Sequence, residues 1–260
     1  MFSVVIPTYG RKDYLEAAIA SVCRQSYQPS EIIVVDNGGA GDRIQPQLSN
    51  IIVRHVVTIA CAGAAQARNF GATIATNEYV AFLDDDDLWG ANYLQMMKNE
   101  IDAHEYEVLV GRLDILKDHF VSTWKNAYGK VDVKSLFRGN PGITGSNLVV
   151  KKEVFIDLGG FDTQLRTGED KDFLIKALDE RKKIAVISDA QAIFRCHDEA
   201  SLTKIPTVRN DIFFLMKHWK RLTVLRRLAL LLRPGYMAHE STKTSPILHL
   251  LFRIVRKLEG

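Results

Sequence analysis

Four consecutive aspartates, Asp84 to Asp87, stand between the apolar pairs Phe82-Leu83 and Leu88-Trp89 in the stretch FLDDDDLWG. Like charges roughly 4 Å apart repel by about 1 kcal/mol in bulk water, and by several times more where water is partly excluded. Such a run either stays wet or meets a partner that offsets the repulsion. Carboxylate oxygens are hard ligands, and Mg2+ or Mn2+ takes one or two of them and completes its shell with water and substrate phosphate. The chemistry open to the run is binding of a nucleotide diphosphate through a metal that also neutralises charge on a departing diphosphate. The alternative is a solvated acidic loop in which Asp87 caps a helix beginning near Trp89.

The elements around the run decide where it sits. Short apolar runs at SVVIPTY (3–9), EIIVVDNGG (31–39), IIVRHVV (51–57) and EYVAFLDDDD (78–87) read as strands buried on both faces. Between the first two lies a helical pattern over 12–25, with Leu15, Ala18, Ile19 and Val22 on one face. Before the fourth lies another over 62–75, whose Ala64, Ala67, Gly71 and Ala75 form a small-residue stripe suited to close packing on a sheet. Strand alternating with helix implies an α/β fold with a mostly parallel sheet, and ligands gather beyond the C-terminal strand ends. That edge is expected to hold Thr8 and Tyr9 from the first strand, Asp36 and Asn37 from the second, and the aspartates from the fourth.

Further along, EVLVGRLDIL reads as a strand, VKSLF as a short helix, and RGNPGITGSNLVV as a Gly-rich loop entering a strand. A short helix at KEVFIDL follows, then a turn at GGFD and a helix over GEDKDFLIKALDERKK. Its opening acids suit a positive N-terminal end. IAVISD and AIFRCH read as two further strands.

The 260 residues suffice for one large α/β domain, and 47% of them are hydrophobic, as in ordinary globular proteins. The net charge of +3 is uneven: residues 204–260 carry +9, which leaves residues 1–203 at −6. Three cysteines, Cys23, Cys61 and Cys196, show no CxxC spacing, which points to reduced thiols rather than a zinc site or disulfide framework. The N-terminus has no signal-peptide pattern, and no apolar run approaches the roughly 20 residues of a membrane span. A cytoplasmic location is expected, either free in solution or peripheral at the inner membrane face.

VVIPTYGR, SVCRQSYQPSEIIVVDNG, AGAAQARNFGATIATNEYVAFLDDDDLW and GGFDTQLRTGEDKDFLIKAL resemble, in order and spacing, the GT-A-fold glycosyltransferases of family 2, over roughly residues 2–203. The resemblance implies a Rossmann-like GT-A sheet flanked by helices, a nucleotide-sugar donor (usually UDP-linked), Mg2+ or Mn2+, and inversion at the anomeric carbon. It implies a catalytic domain over 1–203, with a nucleotide-binding half to about residue 111 and an acceptor-binding half from about 112. Pro7, Thr8 and Tyr9 would border the nucleobase, and Asp36 would hold the uracil or its ribose. Arg68 would lie near the nucleotide, or else pair with Asp36 or the aspartate loop. Asp84 to Asp86 match the DxD-type motif, which gives Asp85 to the ribose and Asp86 to the metal, with Asp84 as the alternative for either.

Inverting transfer needs a base opposite the leaving diphosphate to take the acceptor hydroxyl proton. The resemblance assigns it to Asp170, with Glu169 binding the acceptor or standing in reserve. A late histidine, His197, could complete the metal shell, and Arg195, Ser201 or Thr203 could meet the diphosphate. Gly10 and the sequence DNGG depart from the family pattern, which bears on base preference and not on the reaction class. Residues 204–260 interleave Leu, Ile and Phe with Lys and Arg, as basic amphipathic helices do. Residues 207–260 are read as contacting a membrane surface or covering protein, and not as binding nucleic acid. The expected acceptor is a surface glycan or a lipid-linked precursor. The rivals are a sugar nucleotidyltransferase, for which PTYGRKDY is a poor phosphate loop, and a non-catalytic sugar-binding scaffold.

Overall fold

The computed structural model describes residues 1–38, 51–58, 63–124, 131–138, 140–196, 208–222, 224 and 227. The chain divides into two compact units, Met1–Lys204 and Ile205–Gly260. In the first unit β1 (Phe2–Thr8), α1 (Lys12–Cys23), β2 (Glu31–Asp36), β3 (Ile52–Val57), α2 (Ala64–Ile74) and β4 (Tyr79–Phe82) follow the predicted alternation. Then come β5 (Leu88–Trp89), α3 (Tyr93–His104), β6 (Val108–Lys117), β7 (Phe120–Thr123), α4 (Val133–Arg138), β8 (Leu148–Lys151), α5 (Lys152–Asp157), α6 (Glu169–Asp179) and β9 (Ile184–Arg195). The second unit contains α7 (Val208–Lys217) and a 3-10 turn at Trp219–Arg221, whose Trp219 carbonyl accepts from Arg227 Nε at 3.1 Å.

One nine-stranded sheet runs β3-β2-β1-β4-β8-β6-β9-β5, with β7 paired to β6. β3, β2, β1 and β4 are parallel, so Thr8 lies beside Asp36. β8 enters antiparallel between β4 and β6, while β6 and β9 are parallel to each other. This polarity brings the start of β8 and the ends of β6 and β9 to the edge where β1, β2 and β4 end. β1, β2 and β4 are buried along their whole length, as continuous apolar runs require. β3 is the exception among the predicted strands, an edge strand with Ile52 and Val57 exposed.

Two elements differ from the sequence reading. IAVISD and AIFRCH form the single strand β9, whose pairing with β6 shifts register between Gly111 and Arg112. Gly111 pairs with Ile187 and Arg112 with Gln191, so Ser188 to Ala190 bulge out, and the polar interruption reads in sequence as a gap between strands. No helix begins near Trp89: Leu88 and Trp89 pair with β9, and α3 starts at Tyr93.

The small-residue stripe of α2 packs on β1 and β2. A Cβ on Gly71 would lie 2.4 Å from Val5 Cγ1 and 3.1 Å from Val35 Cγ2. Gly71→Ala is therefore expected to destabilise by about 1–3 kcal/mol despite alanine's higher helix propensity. Thermal unfolding checks this, and an unchanged midpoint contradicts it.

Candidate active site

The aspartate loop begins where β4 ends. Leu83 N–H still donates to Val5 O at 3.1 Å, and Asp87 N–H donates to Asp84 O at 3.1 Å, closing a tight turn. The turn gives the four carboxylates different partners. Asp85 is buried and accepts from Thr8 Oγ1 at 2.7 Å. Asp86 pairs with Arg11, which also lies 3.7 Å from Asp85 Oδ1. Asp84 accepts from Nε and Nη2 of Arg68, the first at 3.2 Å. Asp87, at 1% exposure, accepts from Ser146 Oγ and from Arg195 N–H, the latter at 3.1 Å. The repulsion inherent in the run is met by cations, hydroxyls and a backbone amide drawn from five other places in the chain.

Burial pushes the Asp85 carboxyl up to about 6, against the Thr8 hydroxyl and Arg11, which favour its ionised form. Burial likewise holds Asp87 well above the usual carboxylate range; the negative charges of Asp84 and Asp86 add to this, while Ser146 and the Arg195 amide oppose it.

Ser146 reaches Asp87 because β8 is preceded by a 3-10 turn, Gly145–Asn147. Thr144 Oγ1 accepts from Ser146 N–H at 3.1 Å and Asn147 Oδ1 from Thr144 N–H at 2.9 Å, a reciprocal cap that fixes the turn. Ser146 Oγ accepts from Asp84 N–H at 3.1 Å, and its carbonyl accepts from Trp89 Nε1 at 2.7 Å. Ser146→Ala is expected to destabilise by about 1–3 kcal/mol, because it leaves the part-buried Asp84 amide and the buried Asp87 carboxylate short of a partner. Chemical denaturation measures it, and a change within error contradicts it.

Arg68 joins the two acidic groups. It projects from α2, nearly buried, and its Nη1 donates to Glu169 Oε1 at 2.9 Å while Nε and Nη2 hold Asp84. Gly145 allows this, since a Cβ there would lie 2.6 Å from Arg68 Nη2. Of the partners anticipated for Arg68, the aspartate loop is the one found among the described residues; Asp36 instead accepts from Gly38 N–H at 2.6 Å. Glu169 and Asp170 open α6, after Gly168 in the left-handed conformation (φ 82°). Burial pushes Glu169 up to about 7; Arg68 draws it down and Asp170 pushes it further up. Burial also raises Asp170, whose Oδ1 accepts from Lys171 N–H at 2.7 Å.

The remaining predicted residues flank this network. Pro7 is buried in β1 beside Val35, while Tyr9 stands exposed at the rim. Tyr9 and Asp36 come together at Gly38, where a Cβ would lie 3.7 Å from Tyr9 Cδ2 and 3.2 Å from Asp36 Oδ1. Arg195 is committed to the loop backbone: it donates to the carbonyls of Asp86, Asp85 (3.3 Å) and Tyr14 (3.2 Å), with its guanidinium 4.9 Å from the Tyr14 ring centre. His197, Ser201 and Thr203 lie outside the described residues.

The donor set suits a small hard cation. Asp84, Asp86 and Asp87 each offer a carboxylate oxygen, all within 4.8 Å of one another. Both Asp87 oxygens already accept hydrogen bonds, so Asp86 and Asp84, partly accessible, are the better ligands. Arg11 and Ser146 were not singled out in the sequence. Their pairings span 75 and 59 residues and leave no local spacing signal.

Parallel strands ending in an aspartate loop, with an antiparallel insertion that brings an acidic helix N-terminus against it, define the GT-A glycosyltransferase fold. Staphylococcus aureus TarS 1–349 in complex with UDP-GlcNAc superposes with a TM-score of 0.71 over 98% of this chain and 79% of that one, at 17% identity. The model of glycosyl transferase family 2 matches residues 3–159, and the chain belongs to that family. An uncharacterized glycosyltransferase of Haemophilus influenzae is 28% identical over 185 residues, 69% of this chain and 63% of its own length. The Escherichia coli UDP-Glc:alpha-D-GlcNAc-diphosphoundecaprenol beta-1,3-glucosyltransferase WfgD is 28% identical over 138 residues, 50% of this chain and 54% of its own length. This chain thus matches under two thirds of the length of either relative.

Proposed function

We propose that this chain transfers a sugar, with inversion, from a nucleotide-diphosphate donor to a hydroxyl of a surface-glycan or lipid-linked acceptor. One observation carries the reading: Arg68 spans Asp84 and Glu169, so the aspartate loop and the acidic start of α6 lie within one guanidinium of each other. Pro7, Thr8, Tyr9 and Asp36 form the nucleoside side, and Asp85 faces the ribose. Asp86 and Asp84 would hold Mg2+ or Mn2+, which would supply positive charge to the leaving diphosphate. Asp170 accepts the acceptor hydroxyl proton as the hydroxyl oxygen bonds to the anomeric carbon, and the bond from that carbon to the diphosphate oxygen breaks with its electron pair. Glu169, held by Arg68, positions the acceptor.

UDP is the favoured nucleotide, because TarS is solved with UDP-GlcNAc and WfgD is named for UDP-Glc. WfgD's name also specifies a diphosphoundecaprenol-linked acceptor, which supports a lipid-linked substrate here. Among the described residues no helix is long and apolar enough to cross a membrane. Residues 207–260, with their basic and aliphatic composition, are proposed to hold the catalytic unit at the cytoplasmic membrane face. Calorimetric titration with UDP, GDP and dTDP, each with and without Mn2+, tests the donor assignment. Tight binding of one nucleotide only when metal is present supports it. Binding that ignores metal, or no binding, returns the weight to a non-catalytic scaffold.

A further inference from the structure

Among the described residues three arginines face the aspartate loop, and they are not equivalent. Arg68 is nearly buried and bonded to two carboxylates. Arg195 is locked onto three backbone carbonyls and a tyrosine ring. Arg11 comes from the residue before α1, is 24% exposed, and directs Nη1 at the carboxylates of Asp86 and Asp85. Its partner Asp86 is itself 16% exposed and belongs to the three-aspartate group able to hold a cation. A guanidinium and a divalent cation on one carboxylate repel each other strongly at such range.

We infer that Arg11 is a resident counter-cation that occupies Asp86 in the donor-free protein and must leave it before a metal ion can bind there. This rests on the reading of Asp86 as a metal ligand. Formally, five carboxylates, Asp84 to Asp87 and Glu169, meet three arginines, so the cluster is two charges negative before any metal arrives. A divalent ion alone brings that count to neutral but takes Asp86 from Arg11, leaving the guanidinium facing Asp85 at 3.7 Å. A divalent ion arriving with the two negative charges of a nucleotide-sugar diphosphate leaves the balance as it was and gives Arg11 a new anionic partner. Metal and nucleotide therefore bind weakly apart and tightly together, and each raises the other's affinity by the same factor.

The test is a titration of Mn2+ alone, followed by electron paramagnetic resonance of the free ion, and a second titration with saturating UDP, on wild type, Arg11→Ala and Arg11→Lys. Circular dichroism checks that each variant is folded. Arg11→Ala is expected to bind Mn2+ alone about tenfold more tightly than wild type and to lose a similar factor of the coupling to UDP. Arg11→Lys, which keeps the charge, is expected to stay near the wild-type values. Equal affinity of Arg11→Ala and wild type for Mn2+ alone overturns the inference and leaves the metal site standing. Absence of Mn2+ binding in all three proteins, with and without UDP, overturns the metal assignment itself.

Discussion

Asp86→Ala is expected to weaken Mn2+-dependent nucleotide binding by about 100-fold or more while leaving the fold intact. Asp86 is partly exposed and pairs with Arg11, also partly exposed, so truncation removes a ligand without opening a buried cavity. Asp87→Ala should behave in the opposite way. It deletes a carboxylate buried between Ser146 Oγ and the Arg195 amide, and leaving those donors unsatisfied costs about 1–3 kcal/mol of stability. Nucleotide titration with and without Mn2+, paired with thermal unfolding of both variants, separates the two. If Asp87→Ala loses metal-dependent binding at unchanged stability and Asp86→Ala does not, the assignments within the loop are reversed.

That division of labour explains why four adjacent aspartates are tolerated. Each faces a different element: Asp84 the α2 arginine, Asp85 the β1 threonine, Asp86 the arginine that precedes α1, and Asp87 the turn before β8 together with the end of β9. A loop this acidic is held in shape by partners supplied from almost the whole catalytic unit. Arg68 ties Asp84 of this loop directly to Glu169 at the start of α6.

The parallel half of the fold was legible because β1, β2 and β4 are buried on both faces and announce themselves as continuous apolar runs. β7 announced nothing: Phe120 to Thr123 are all exposed, so the strand has neither an apolar run nor a clean alternation to betray it. β9 read as two strands because its bulge at Ser188 to Ala190 interrupts the pattern while the backbone continues. Within the site, the aspartates and the Glu169-Asp170 pair stood out because like charges cluster in sequence. Arg11 and Ser146 stood out only in space, because a lone arginine near the N-terminus and a serine in a Gly-rich loop carry no pattern until folding sets them against Asp86 and Asp87.

Asp170→Asn is expected to lower the rate of sugar transfer by about 10²–10⁴-fold with donor binding preserved, the range for losing a positioned general base. A base must be ionised to act, and burial raises both acids of the pair, Glu169 to about 7. The wild-type rate should therefore climb with pH above the ordinary carboxylate range and level off once Asp170 is ionised. Arg68 favours the ionised forms of both Asp170 and Glu169, so Arg68→Met should move that climb to higher pH, an effect a purely structural role would not produce. Arg68→Met also strands Asp84 and Glu169, at about 3–5 kcal/mol of stability, so its profile must be recorded well below its unfolding midpoint. Glu169→Gln should retain transfer, with a weakened apparent affinity for the acceptor. If Glu169→Gln is instead the variant that abolishes transfer and erases the pH dependence, while Asp170→Asn remains active, Glu169 is the base and Asp170 its neighbour.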